Sequence, residues 1–182
     1  MTLPEITFAN VLDYIGTLAF AISGIRLAST KNFDWFGAYV VGLATAIGGG
    51  TVRDLMLDVP VFWMRNGIYF LITLLALLLV VLFGKVVVRQ KYTWFIFDTI
   101  GLGMFAVIGI EKTLGVGFPF WVAIVMGSVT GAGGGVIRDV FLNEVPLIFR
   151  AEIYAVACVL GGLAYWVCSL CGWGNVPCGL VC

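Results

Sequence analysis

The stretch Gly48-Gly49-Gly50-Thr51-Val52-Arg53-Asp54 returns 85 positions later as Gly133-Gly134-Gly135-Val136-Ile137-Arg138-Asp139. The same offset lays Asp13-Tyr14-Ile15-Gly16 on Asp98-Thr99-Ile100-Gly101, Phe20-Ala21 on Phe105-Ala106, Gly24-Ile25 on Gly109-Ile110, and Thr45 on Thr130. It continues through Arg65 on Arg150 and Ile68-Tyr69 on Ile153-Tyr154; only Pro60 and Pro146 slip by one position. The chain is written twice.

Composition names the solvent of both copies. Of 182 residues, 62% are hydrophobic and 11% charged, against about a quarter charged in an ordinary soluble domain. A soluble globule of this size could not hide so much apolar surface, so the chain belongs in a bilayer. Ten basic and ten acidic residues cancel, and there is no His. That excludes a nucleic-acid binder working by phosphate neutralisation and every mechanism needing imidazole. The start, 1–6, contains Glu5 and no Lys or Arg, so the first apolar stretch reads as a span, not as a removable leader.

A helix crosses a ~30 Å hydrocarbon core with about 20 residues. Gaps between charges give six such segments, roughly 6–28, 33–52, 66–84, 92–110, 117–137 and 153–170. Their continuous apolar runs favour helices over barrel strands, which alternate. The expected organisation is a three-helix repeat over 6–84, a basic loop over 85–91, a second three-helix repeat over 92–170, and a short apolar Cys-rich tail over 171–182. Three spans per copy is an odd number, so the second copy enters the membrane upside down. The fold class is an all-α membrane protein of two inverted three-helix repeats, an arrangement many transporters use with a pathway at the repeat interface. With the N-terminus outside, the inner side holds Arg26, Lys31, Lys85, Arg89, Lys91, Arg138 and Arg150, and the outer side Arg53, Arg65 and Lys112, the asymmetry that sets orientation.

The glycine triplets are the costliest shared feature, since Gly loses ~1 kcal/mol against Ala in a helix. Gly48, Gly49, Gly50 and Gly133, Gly134, Gly135 predict broken or kinked second and fifth spans, with backbone groups free to meet an ion. The alternative is close helix crossing through small residues. Arg53 and Asp54 are adjacent, so they point about 100° apart on a helix, as do Arg138 and Asp139. Each is expected to seek a partner elsewhere, because an unpaired charge at mid-membrane costs ~2.5–3.5 kcal/mol. Asp13 and Asp98 are the candidates, predicting one two-fold-related cluster of Asp13, Arg53, Asp98 and Arg138. The competing reading makes the Arg-Asp pairs anchors of helix ends at the headgroups.

Other features read more plainly. Glu111 and Lys112 are expected in a loop after the fourth span. Lys85, Arg89 and Lys91 form a basic loop whose expected role is topology, favoured over anionic-lipid binding. Trp35, Trp63, Trp94 and Trp121 form an aromatic belt without a chemical role. Cys158, Cys168, Cys171, Cys178 and Cys182 continue an apolar span, and small apolar packing is favoured over a metal site.

Asp13-x-x-Gly16 with Phe20-Ala21-Ile22-Ser23-Gly24, then Thr45-Ala46-Ile47-Gly48-Gly49-Gly50-Thr51-Val52-Arg53-Asp54 and Pro60-Val61-Phe62-Trp63, resembles the prokaryotic trimeric intracellular cation (TRIC) channel family. That family is also described as a duplicated UPF0126-type or glycine-transporter-type membrane domain. The second copy repeats the pattern from Gly131 to Val140, then Glu144-Val145-Pro146, Arg150 and Glu152-Ile153-Tyr154. The resemblance covers roughly residues 10 to 166. It implies a homotrimer with one pore inside each protomer, passing K⁺ and Na⁺ beside the second and fifth helices. It places functional weight on Gly48–Gly50, Arg53, Asp54, Gly133–Gly135, Arg138 and Asp139. Family members carry a seventh helix; this chain stops 12 residues after Leu170, so that helix is expected to be absent or a stub.

Two transport readings stand together: a passive monovalent-cation channel, and a secondary carrier of glycine or another small amino acid. A structural scaffold leaves the duplicated Arg-Asp unexplained. An enzyme is disfavoured, since no nucleophile elbow or phosphate loop is present, and no cofactor is expected. The expected partners are K⁺, Na⁺, the lipid bilayer and two further copies of the chain, in the bacterial plasma membrane.

Overall fold

The computed structural model describes residues 8–83, 93–150, 152–171 and 178–179. Among these residues the protein is all-helical, with eight helices: α1 (Phe8–Thr30), α2 (Trp35–Met56), α3 (Phe62–Arg65), α4 (Ile68–Leu82), α5 (Thr93–Val116), α6 (Phe120–Phe141), α7 (Leu147–Arg150) and α8 (Glu152–Leu170). Four of them, α1, α2, α5 and α6, are long and apolar enough to cross a membrane, while α4 and the Val156–Leu170 part of α8 are shorter apolar helices. The one-turn helices α3 and α7, just before α4 and α8, were not expected from the pattern of charges. The basic loop 85–91, Cys182 and most of the tail lie outside the described residues.

The two copies end their helices alike. Asn32 (φ 59°) follows α1 and Gly117 (φ 98°) follows α5; Asp58 and Asn143, both at φ 52°, follow α2 and α6. These are two pairs at the 85-residue offset, occupied by residue types that tolerate the left-handed region at a helix C-terminus. There the Val59 amide returns to the Asp54 carbonyl and the Glu144 amide to the Asp139 carbonyl.

Packing centres on α1, α2, α5 and α6. Phe20 of α1 stacks on Phe105 of α5 with ring centroids 5.2 Å apart. Thr45 and Thr130 are fully buried, and each satisfies its hydroxyl on the carbonyl four residues back, as a polar group in an apolar surround must. The outer faces are the reverse of a soluble protein's. Leu71, Leu74, Leu75, Leu78 and Leu82 of α4 and Trp121 and Val125 of α6 are exposed, which suits lipid.

At the crossing of α2 with α6 the glycines correct the expectation. Both triplets are helical throughout, within unbroken α2 and α6; no break releases backbone groups. What the glycines provide is approach. A Cβ at Gly49 would stand 2.1 Å from the Thr130 carbonyl oxygen, and one at Gly134 2.3 Å from that of Thr45. No side chain fits there, so the small-residue crossing is the reason for the pattern.

Candidate functional site

Each Arg-Asp pair closes its helix and holds the next. Arg53 and Arg138 lie in the last turns of α2 and α6, where a cation meets the negative end of the helix dipole. Asp54 Oδ2 accepts the Phe62 amide that opens α3, at 3.0 Å. Asp139 Oδ2 accepts the Leu147 amide that opens α7, also at 3.0 Å. The pairs do mark helix ends, but not at a solvated surface: Arg53 is 3% exposed, Arg138 and Asp54 0%, and Asp139 2%.

Contrary to expectation, neighbours do pair. Arg53 Nε donates to Asp54 Oδ1 at 2.8 Å, and Arg138 Nε to Asp139 Oδ1 at 2.8 Å. The guanidinium stem is long enough to fold back past the 100° separation that keeps shorter side chains apart.

The expected four-residue cluster is instead two centres. In the second-copy centre, Arg138 Nη1 donates to Asp98 Oδ1 and, at 2.8 Å, to Ser23 Oγ. Tyr154 Oη donates to Asp98 Oδ2 at 2.6 Å. The guanidinium carbon lies 5.2 Å from the centre of the Trp94 ring, and Ser23 Oγ donates to the Trp94 carbonyl at 2.8 Å. Asp98 and Arg138 are both fully buried.

In the first-copy centre, Lys112 Nζ donates to both oxygens of Asp54, at 2.8 and 2.9 Å, beside the Arg53 pair. Asp13 accepts from the Tyr69 hydroxyl, where its counterpart Asp98 also meets an arginine. The Phe62 ring lies 5.8 Å from the Arg53 guanidinium and 5.9 Å from the Lys112 ammonium. This centre opens on a cavity of about 370 Å³ whose walls include Asp13, Arg53, Tyr69, Ile108, Glu111 and Lys112.

The structure thus joins Asp98 to Arg138 as expected and places Asp13 across a cavity wall from Arg53. Glu111 and Lys112 are not loop residues; they lie inside α5. Five participants escaped the sequence reading: Lys112, Tyr69, Tyr154, Ser23 and Trp94. The tyrosines carried a signal, since both stand at the repeat offset. Lys112 and Trp94 carried the opposite one: their repeat partners are Leu27 and Ala9, and such departures mark where the copies differ in chemistry. No group of three or more His, Cys, Asp or Glu suited to a metal occurs among the described residues.

Away from the centres, Lys31, just after α1, pairs with Glu144, just after α6, and Arg150 stands 3.8 Å from the same carboxylate. The Lys31 ammonium holds the Glu144 carboxyl below its ordinary range.

Comparison with known proteins follows the duplication. The family model described as glycine transporter matches twice, over residues 10–85 and 95–169. The UPF0126 inner membrane protein YadS of Escherichia coli K12 is 42% identical over 160 residues, spanning 85% of this chain and 75% of that one. Among solved structures, the TRIC trimeric intracellular cation channel orthologue from Rhodobacter sphaeroides superposes with a TM-score of 0.89 at 34% identity, covering 94% of this chain and 89% of that one. A prokaryotic TRIC channel crystallised in 0.5 M KCl gives a TM-score of 0.87 at 30% identity, covering 95% and 90%.

Proposed function

The chain belongs to the UPF0126 membrane-protein family, which shares its fold with the prokaryotic TRIC channels, and from that premise we propose that it is a monovalent-cation channel of the bacterial inner membrane. The permeant ions are K⁺ and Na⁺, the assembly is a homotrimer in lipid, and each protomer carries its own path beside the glycine-rich α2 and α6. The path joins the two charged centres. Gly48–Gly50 and Gly133–Gly135 set its middle, and Asp13, Arg53, Asp54, Asp98, Arg138 and Asp139 its two ends.

The observation that carries this reading is the charge inventory of the centres. In and just behind the cavity wall, Asp13, Glu111 and the buried Asp54 outnumber Arg53 and Lys112 by one. Around Arg138, Asp98 and Asp139 again exceed the cations by one. A surplus carboxylate at each end favours a passing cation over an anion.

Two ion pairs support the inverted six-span arrangement. Lys31 with Glu144 brings the ends of α1 and α6 to one side, and Lys112 with Asp54 brings the ends of α5 and α2 together. Because α2 returns from the end of α1, the second pair lies on the opposite side from the first. This favours α1 and α5 running in opposite directions, as two inverted copies would, and the Lys and Arg distribution favours an outer N-terminus.

A carrier of glycine or another small amino acid is the second reading, favoured by one observation: the cavity wall presents carboxylates and cationic side chains together, as a zwitterion would need. Purified protein reconstituted in a planar bilayer and in vesicles decides between them. Unitary K⁺ currents without saturable glycine uptake support the channel; saturable uptake without currents supports the carrier.

A further inference from the structure

The two centres are built from equivalent residues, yet one opens on a cavity and the other is shut. Asp13, Arg53, Tyr69 and Ile108 line the first; their counterparts at the 85-residue offset are Asp98, Arg138, Tyr154 and Ser23. The copies differ at the residues that cover them. Where the first copy has Ala9, on the cavity wall, the second has Trp94, whose ring lies over the Arg138 guanidinium. Where Ile108 faces the first centre without a hydroxyl, Ser23 accepts from Arg138 Nη1 and donates to the Trp94 carbonyl, each at 2.8 Å. Ring, hydroxyl and guanidinium form one closed set of contacts between α1, α5 and α6.

We propose that Trp94 and Ser23 form a seal over the Arg138 centre, so that the second end of the path opens only when the Trp94 ring leaves the guanidinium, while the Ala9 side stands permanently open to water. Three features make this more than an interfacial tryptophan. The ring is placed over a cation, an attraction that strengthens as the pair is desolvated. The Trp94 backbone is tied by the same serine that holds the arginine. And Asp98 and Arg138 are 0% exposed. A single ring–cation contact is weak enough that a sealed and an unsealed state interconvert thermally, with the unsealed one the minor state.

The inference rests on the proposed path for its effect on conduction, but the seal itself is tested without current. In full-length protein in detergent micelles, where the reagent reaches both ends, the rate of modification by a charged methanethiosulfonate reagent is read by peptide mass at one introduced thiol, so the native cysteines do not interfere. Ile108→Cys is expected to react readily and Ser23→Cys slowly. Adding Trp94→Ala to Ser23→Cys is expected to raise its rate about tenfold or more, as release of a minor state predicts, and Trp94→Phe, which keeps a ring over Arg138, to leave it near the starting value. The reciprocal change, Ala9→Trp with Ile108→Cys, is expected to slow modification on the open side. Equal rates at Ser23→Cys with and without Trp94, in protein that elutes and melts as the parent does, overturn the proposal. So does an Ala9→Trp variant that leaves Ile108→Cys as reactive as before, and this arm decides alone if Trp94→Ala fails to fold. Absence of any K⁺ current in the parent would strike the channel reading and leave the labelling contrast standing.

Discussion

Lys112, one turn before the end of α5, holds both carboxylate oxygens of Asp54 in the last turn of α2, at 2.8 and 2.9 Å. Its repeat partner is Leu27, so this third charge has no equivalent around Arg138. Lys112 is the half-exposed member of the group, with 31% of its side chain accessible against 4% for Arg53. Lys112→Met therefore leaves Asp54 its arginine and its backbone donor from Phe62. Loss of stability is expected to stay within ~1 kcal/mol, while removing a positive charge from the cavity wall raises single-channel K⁺ conductance. Because that effect is electrostatic, it shrinks as KCl rises toward 1 M, where screening acts over about 3 Å. Conductance against salt concentration for the variant and the parent checks it.

The buried pair behaves differently. Arg138→Met strands Asp98 and Asp139 at 0% and 2% exposure, and breaking a buried pair by removing one partner costs ~3–5 kcal/mol. Asp13→Asn removes no cation contact, and Tyr69 can still donate to the amide oxygen, so its cost is expected near ~1 kcal/mol. Denaturation in detergent micelles should rank Arg138→Met far below Asp13→Asn. Equal losses would mean that the two centres are held by the same forces.

The helix crossing makes a prediction with its own control. Gly49→Ala places a methyl 2.1 Å from the Thr130 carbonyl, and the helices must part; overpacking of this kind costs ~1–3 kcal/mol or more. At Gly103, in α5, an added Cβ meets nothing within 4 Å, so Gly103→Ala gains helix propensity of up to ~1 kcal/mol. Melting temperatures of the two variants should move in opposite directions.

Glu144 supplies a pH dependence. Its carboxyl is held below the ordinary value by Lys31, so the native state favours the ionised form more than the unfolded chain does. The tie contributes stability above the unfolded carboxylate pKa, and that contribution is lost as pH falls through the lower, folded value. Acidification below the usual glutamate range should loosen the contact between the α1–α2 and α6–α7 connections, seen as faster proteolysis there. Glu144→Gln should be equally susceptible at neutral and acidic pH.

Much of this protein was legible in its sequence for one reason: duplication turns every retained polar residue into an observation made twice. The offset that joins Arg53 to Arg138 and Asp13 to Asp98 singled out charged residues of both centres and the glycines of the helix crossing, but read the centres as one cluster and the glycines as breaks. What it misjudged were matters of reach and angle. Spacing on a helical wheel says nothing of an arginine folding back on its neighbour, and a run of glycines reads equally as a break or as a close approach. Only the 2.1 Å between a hypothetical Gly49 Cβ and the Thr130 oxygen separates those two. Lys112 and Trp94 were hidden for the complementary reason. A repeat displays what the copies share, while the difference between an open and a covered centre lies where Leu27 corresponds to Lys112, and Ala9 to Trp94, across the repeat.

On the proposed function, two charged centres, each with a surplus carboxylate, border a cation path through one protomer. The most direct measurement is the reversal potential of unitary currents in a planar bilayer under a KCl gradient, for the parent protein and for folded, trimeric Arg53→Ala. The expected result is a reversal near the K⁺ equilibrium potential in the parent and a changed unitary conductance in the variant. A reversal near the Cl⁻ potential, or identical currents from the two proteins, would contradict it.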